Sequence, residues 1–310
     1  MFKFDITILG CSSATPIFNR HPTSQWVTIN NTHILLDCGE GTQMQIMKYG
    51  FKASKLSHIF ISHLHGDHFL GLIGLVSSMN LNGRTDELHI YGPPPLKGLL
   101  DLHFNVSDTI IRYPLHFHET YNSDNIDDWG LFLLMETRDF KISTIPLQHS
   151  IPCKGFLIEE KNPPRKIKKD LVMDLNIPAE AMDYLKKGLV YTDSDGNTYS
   201  PKILTESPRE IRKYAFCSDT RYLPDLKEIL MGVSTLYHET TFGHDFLPRA
   251  ELTFHSTVTQ AATLARDIQA DKLLMGHFSA RYRDLSPLLD EAKAIFPKSF
   301  LGLEGITFEV

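Results

Sequence analysis

At 310 residues, with 42% hydrophobic and 22% charged side chains, the chain can bury a large core, as one big domain or two modest ones, and its composition is that of a soluble globular enzyme. A net charge of −6 excludes nucleic-acid binding through overall charge, so a polyanionic partner would need a local basic patch. No apolar run reaches the roughly eighteen residues of a membrane span, Met1-Phe2-Lys3-Phe4-Asp5 has no signal-peptide pattern, and four scattered cysteines (Cys11, Cys38, Cys153, Cys217) exclude a disulfide framework or zinc ribbon, so a cytoplasmic protein is expected.

Residues 2–9 alternate loosely and stop at Gly10, which predicts a first strand. A polar loop, Cys11-Ser12-Ser13-Ala14-Thr15-Pro16, separates it from a second strand, Trp26-Val27-Thr28-Ile29. The Asn30-Asn31 turn leads to a third, His33-Ile34-Leu35-Leu36-Asp37. Gly39-Glu40-Gly41-Thr42 opens a short helix over 42–49, with Thr42 as its N-cap. Strand 58–62 follows, and residues 69–81, apolar all round, predict a buried helix. Leu88-His89-Ile90-Tyr91 is a strand; Gly92-Pro93-Pro94-Pro95 ends it and starts a helix from Leu96, and 120–130 is an acidic loop. Strands are expected at 131–136, 139–147 and 154–159.

Composition changes at Lys161. Lys161, Arg165, Lys166, Lys168 and Lys169 crowd around Pro163-Pro164. An amphipathic piece near 178–187 and the turn-rich Asp193-Ser194-Asp195-Gly196-Asn197 follow, so 160–205 reads as an insertion. Regularity returns with strands at 214–217, 234–238 and 272–276 and helices at 224–231, 257–269 and 286–296. Strands come in runs, each followed by helices, without strict alternation. That pattern predicts an α+β chain, a single 1–310 domain folded as a four-layer αββα sandwich of two mixed sheets.

Ile59-Phe60-Ile61 delivers its end straight into His63, His65, Asp67 and His68. Three imidazoles and a carboxylate, turned tightly by Gly66, are donors for a borderline metal such as Zn²⁺. A single histidine would read as a surface or core residue; this cluster reads as a metal site. Further donors should stand just past other strands: His149, Asp219 in Cys217-Ser218-Asp219-Thr220, and His277 in Gly276-His277-Phe278-Ser279. Each alone reads more readily as a solvated strand cap; together, beside a first cluster that needs partners to close its coordination, they read as ligands. Asp37 ends its strand either as a simple turn residue or as the acceptor for a ligand's second ring nitrogen.

His-x-His-x-Asp-His after a strand, with later His, Asp and His, resembles the metallo-β-lactamase superfamily. Leu9-Gly10, Thr15-Pro16, Asn19-Arg20, Leu36-Asp37-Cys38-Gly39-Glu40-Gly41-Thr42-Gln43, Ser218-Asp219-Thr220-Arg221, His238-Glu239-Thr240-Thr241, His255-Ser256-Thr257 and His277-Phe278-Ser279-Ala280-Arg281-Tyr282 narrow the resemblance to the ribonuclease Z family of short-form tRNA 3′-processing endonucleases. It covers residue 4 to about 284, the insertion excepted. The resemblance implies a metallo-β-lactamase fold with an inserted arm and two Zn²⁺ per subunit, Mn²⁺ or another divalent ion being the alternative. His63, His65 and His149 would hold one ion, Asp67, His68 and His277 the second, and Asp219 would bridge them. Asp67 would also orient or deprotonate the attacking water. His255 would be the general acid for the leaving 3′-oxygen, or else only a neighbour of the next helix's N-cap.

The same resemblance makes His238 and Glu239 residues that orient the site. Arg281 and Tyr282 would contact substrate phosphate or ribose, or make a structural salt bridge. The insertion stands where that family carries an arm gripping the tRNA elbow, with Lys166, Lys168 and Lys169 as phosphate contacts; the other reading is a solvated linker. The Gly-Pro that the family has after Ile-Pro is absent, since Ile177-Pro178 is followed by Ala179-Glu180. The implied activity is removal of the 3′ trailer from precursor tRNA, leaving a 3′-hydroxyl on the tRNA and a 5′-phosphate on the trailer, by a homodimer that needs no membrane. A second reading is a small-molecule or general phosphodiesterase on the same metal centre. A third, a non-catalytic RNA-binding scaffold, has all seven candidate ligands against it.

Overall fold

The computed structural model describes residues 3–17, 19–121, 130–161 and 163–310; most of the predicted acidic loop lies outside these. In the first half, β1 (Phe4–Gly10), β2 (Ser24–Ile29) and β3 (Thr32–Cys38) form an antiparallel meander. Then come α1 (Thr42–Lys48), β4 (Leu56–Phe60), α2 (Gly66–Phe69), α3 (Gly71–Leu81), β5 (Leu88–Gly92), α4 (Pro95–Val106) and β6 (Leu115–Glu119). The strands β7 (Leu133–Glu136), β8 (Phe140–Pro146) and β9 (Lys154–Glu160) open the second half.

The segment that follows carries β10 (Lys166–Ile167), α5 (Lys169–Asp174), α6 (Ala181–Lys186), β11 (Tyr191–Thr192), β12 (Thr198–Tyr199), α7 (Pro201–Leu204) and β13 (Thr205–Glu206). After it run β14 (Lys213–Cys217), α8 (Leu226–Leu230), β15 (Thr235–Glu239), α9 (Leu247–Thr253), α10 (Val258–Asp267), β16 (Lys272–Gly276), α11 (Ser286–Lys293), β17 (Ser299–Leu301) and β18 (Thr307–Glu309).

Two seven-stranded mixed sheets result, ordered β18-β1-β2-β3-β4-β5-β6 and β17-β16-β15-β14-β9-β8-β7. In the first, pairing switches from antiparallel to parallel at β3–β4; in the second, at β14–β15. Period-two alternation sorts each strand's side chains between layers. Ile34, Leu36 and Phe60 join Phe156, Phe216 and Tyr237 in the core between the sheets. Their neighbours Leu35, Ile59 and Ile61 pack instead with Leu72, Leu75 and Leu96 of the helices covering the first sheet. On the second sheet, Val258, Ala261, Ala265, Leu288 and Ala292 bring α10 and α11 down on the strands. The capping box of α10, in which Thr257 Oγ1 accepts from the Gln260 amide, fixes where it starts. This is the expected metallo-β-lactamase sandwich. No helix among the described residues is long and apolar enough to cross a membrane, and the four cysteines are free and buried.

Three local expectations are corrected. Thr42 is the first residue inside α1 and its hydroxyl donates to the Gly39 carbonyl at 2.7 Å; the cap is Gly41, whose φ of 83° is a left-handed conformation that glycine adopts without strain. The helix expected over 69–81 breaks at Leu70, and α3 buries only Leu72, Leu75, Val76 and Met79, with Leu70 and Leu81 exposed. The strand expected to reach residue 62 ends at Phe60, because the Ser62 amide turns away to Asp37.

The segment between β9 and β14 has its own small core. Ala181, Leu185 and Leu204 are buried, with Ile167, Leu171, Val172, Ile177 and Tyr191 packed on them. At its root, the fully buried Glu160 carboxylate receives Arg209 and Arg212, which locks the exit of the segment to the end of β9. Asp193 ties the β11–β12 turn by accepting from the Asp195 and Asn197 amides and the Tyr199 hydroxyl.

Candidate metal centre

All seven candidate ligands emerge at one end of the sandwich, past the ends of β4, β8, β14 and β16. They fall into two groups whose donor atoms lie within 4.8 Å of one another, His63, His65, His149 and Asp219 in one, and Asp67, His68 and His277 in the other. In the first, His65 Nδ1 is 3.2 Å from His63 Nε2 and 3.1 Å from His149 Nε2. Asp219 Oδ2 stands 3.7 Å from His63 Nε2 and 3.8 Å from His149 Nε2. Its other oxygen, Oδ1, faces the second group, 3.4 Å from His68 Nε2 and 3.2 Å from His277 Nε2. Asp67 Oδ2 completes that group, 3.4 Å from His68 Nε2 and 3.3 Å from His277 Nε2. Bonds of about 2.0–2.2 Å to one ion place neighbouring ligand atoms at about these separations.

Four imidazoles are held by Nδ1 so that Nε2 points inward. His63 Nδ1 bonds the Ser62 hydroxyl, His68 Nδ1 bonds Asp37, His149 Nδ1 donates to the Phe254 carbonyl at 3.0 Å and His277 Nδ1 bonds Thr241 Oγ1 at 2.9 Å. A ligating histidine is oriented in this way, through its second nitrogen. Asp37 is therefore more than a turn residue. Fully buried, it accepts from the Ser62 amide at 2.7 Å and hydroxyl at 2.8 Å and contacts His68 Nδ1 at 2.7 Å.

The electrostatics fit a cation. Burial pushes His63 well below the ordinary histidine range and lowers His65 and His149, which keeps these rings neutral, the form that ligates. Burial also opposes charge on His68, but Asp219, Asp67 and Asp37 around it outweigh burial and favour positive charge at that point. Among the described residues, His68 Nε2 and Asp219 Oδ1 are buried without a hydrogen-bond partner, as donors aimed at an ion would be. The residues present fit a divalent metal.

Several comparisons bear on this arrangement. The family model of the Anti-Pycsar protein Apyc1 matches residues 4–183. Ribonuclease Z of Bacteroides fragilis is 44% identical over 306 residues, covering 99% of both chains. Ribonuclease Z of Cytophaga hutchinsonii is 42% identical over 311 residues, covering 99% of this chain and 96% of its own. The crystal structure of human tRNase Z, short form, superposes with a TM-score of 0.71 at 25% identity over 98% of each chain. The chain belongs to the ribonuclease Z family.

Its remaining candidate residues take distinct positions. A cleft of about 520 Å³ opens over the centre, lined by Ala14, His65, Asp67, Phe254 and His255 among others. His255 Nδ1 contacts Glu239 Oε1 at 2.8 Å, and the ring also lies against His149 and His277. Burial alone would lower its pKa; the adjacent Glu239 carboxylate prevails and lifts it to about 9. Glu239, fully buried, also accepts from the Thr220 and Thr241 amides and the Thr241 hydroxyl, which connects it through Thr241 to His277. His238 lies on the other face of β15 and its Nδ1 bonds the Glu239 carbonyl.

The Arg281 guanidinium stacks over Phe246 at 4.3 Å and Phe242 at 5.0 Å, and its Nε donates to Ser279 Oγ at 3.2 Å. The Tyr282 hydroxyl accepts from the Gly243 amide and the Tyr282 carbonyl from Arg20 in this ribonuclease Z-family chain. Lys166 pairs with Glu206, Lys168 donates to the Ile203 carbonyl, and Lys169 opens α5, all three between β9 and β14.

Two contributors carry no side-chain signal. The Ala14 amide donates to Asp67 Oδ2 at 2.7 Å, and the Phe254 carbonyl orients His149. Ala14, Asp37, Phe254 and His277 all have φ between 55° and 59°, unusual for residues other than glycine. Left-handed backbone concentrated at one cleft is the kind of local strain that functional sites retain. Thr241 was findable, because it belongs to the His238-Glu239-Thr240-Thr241 block.

Proposed function

We propose that this chain removes the 3′ trailer from precursor tRNA, with two Zn²⁺ per subunit, by hydrolysing the phosphodiester after the discriminator base. The observation that carries this reading is the division of Asp219 between two imidazole–carboxylate groups in a chain that is 44% identical to a ribonuclease Z over nearly its full length. When bound, the ions would neutralise the phosphate and bring a water near neutrality as nucleophile. His63, His65 and His149 would hold one ion and Asp67, His68 and His277 the other, with Asp219 between them. The imidazole-rich donor set favours zinc over magnesium.

The chain's own groups divide the rest of the work. Asp67, fixed by the Ala14 amide, orients the attacking water and draws off its proton. His255, held protonated by Glu239, donates to the departing 3′-oxygen as the P–O bond breaks, so the tRNA keeps a hydroxyl and the trailer a phosphate. The inserted segment, as a tRNA-binding exosite, offers Lys166, Lys168 and Lys169 to phosphates distant from the cut.

Cleavage of a precursor tRNA with a 3′ trailer, at two salt concentrations, tests the reading. Wild type is expected to cut after the discriminator, His65→Ala to lose the cut, and a Lys166/Lys168/Lys169→Ala triple variant to bind more weakly, with a salt slope smaller by up to about three. No tRNA cleavage alongside intact hydrolysis of an aryl phosphodiester would instead leave a general phosphodiesterase. The homodimer is supported by Met44 and Met47 on α1 and Leu70 before α3, apolar side chains more than half exposed. Sedimentation should give a dimer that Met47→Asp splits; a monomeric wild type would remove that part of the proposal.

A further inference from the structure

A second set of imidazoles lies on the first sheet, away from the metal centre. Strands β4, β5 and β6 are parallel, with His58 in register with His89, His89 with His116, and Tyr91 with His118. Alternation sends Ile59, Leu88 and Ile90 to the helix side, so the imidazoles share the opposite face. They form a continuous stack. His89 lies 5.2 Å from His58, 4.8 Å from His116 and 5.2 Å from His118 by ring centroid, and His118 rests on Tyr91 at 4.4 Å.

At the solvent end of this stack, Glu87 faces two rings. One carboxylate oxygen is 3.5 Å from His89 Nε2 and the other 3.6 Å from His116 Nε2. Both distances exceed an ordinary hydrogen bond, yet they are close to the roughly 3.3 Å that separates neighbouring ligands around a tetrahedral zinc ion. The donor atoms of Glu87, His89 and His116 all lie within 4.8 Å of one another.

A second, independent feature points the same way. His89 Nδ1 lies 2.9 Å from His118 Nε2, so with His89 donating there its Nε2 lone pair is turned toward Glu87 and His116. A metal-binding histidine is oriented by just this kind of contact.

The geometry points to a separate site for one divalent transition-metal ion, of the imidazole-preferring class typified by Zn²⁺, formed by Glu87, His89 and His116 with His118 orienting His89. Two imidazoles and one carboxylate leave a fourth position to water. The site shares no ligand with the catalytic centre. His58 precedes His63 by five residues on the same strand and loop, about 16 Å of extended chain, so the two centres lie toward opposite ends of the parallel strands. An ion there would tie edge strand β6 to the residue leading into β5, protecting an otherwise open sheet edge.

The test is zinc uptake by enzyme whose catalytic centre is already loaded, followed by calorimetric titration with Zn²⁺ and by elemental analysis after dialysis. Wild type is expected to hold one more Zn²⁺ per chain than Glu87→Gln or His116→Ala, and to gain thermal stability on adding zinc where the variants do not. Both substitutions are at exposed positions and should leave precursor-tRNA cleavage within twofold of wild type. Equal zinc content in wild type and both variants would overturn the proposal. So would an extra ion that survives His116→Ala and disappears in His65→Ala, since that ion would belong to the catalytic centre.

Discussion

Asp219→Asn is expected to lower kcat on precursor tRNA at least about a thousandfold while leaving the chain folded. The carboxylate presents one oxygen to each ligand group, at 3.2–3.8 Å from four different imidazoles. The amide keeps the shape but has a single acceptor and no charge, so it cannot serve both groups. Metal-assisted charge stabilisation contributes several kcal/mol to a phosphoryl transition state, and each 1.36 kcal/mol is about tenfold in rate. Single-turnover cleavage, with metal content measured on the same sample, checks this. A loss under tenfold with full metal content would remove Asp219 from its bridging position.

His255→Ala is expected to cost about 10²- to 10⁴-fold on tRNA, the usual range for losing a general acid. The defect should depend on the leaving group. A tRNA 3′-oxygen needs a proton and a nitrophenolate does not, so turnover of an aryl phosphodiester should change far less. The pH dependence has a definite sign. A general acid works protonated, so the rate is lost as pH rises through the pKa of His255. Burial works against that protonated state and Glu239 maintains it, raising the group to about 9. Glu239→Gln removes the supporting charge, lowers the pKa and should move the basic limb of the kcat profile to lower pH. A limb that stays in place in Glu239→Gln would exclude His255 as the acid.

How much of this was readable beforehand varies with the physics of each part. The first metal cluster was legible because Ile59-Phe60-Ile61 marks a strand and four of the ligands follow it within a few residues. His149, Asp219 and His277 are scattered in the chain; from residue patterns alone each was only a donor beyond a strand, and their convergence is a tertiary fact. β6 escaped because its alternate positions carry the exposed His116 and the half-buried His118 beside only two apolar residues, Leu115 and Phe117, and β17 and β18 because three residues are too few to show alternation. The 69–81 helix misled because glycines and leucines spread around it hide the 3–4 spacing of the four residues that it buries. The amide of Ala14 and the carbonyl of Phe254 could not be read at all, since every residue has those groups.

The ligands also come from both sides of the sandwich. His63, His65, Asp67 and His68 follow a strand of the first sheet, while His149, Asp219 and His277 follow strands of the second. An ion bound between them is a cross-link over the seam, made only in the folded state. By mass action it adds about 2.7 kcal/mol once its free concentration reaches about a hundred times its dissociation constant. The chain's resistance to unfolding would then follow the supply of that ion, and copies made during scarcity would be the first exposed to proteolysis.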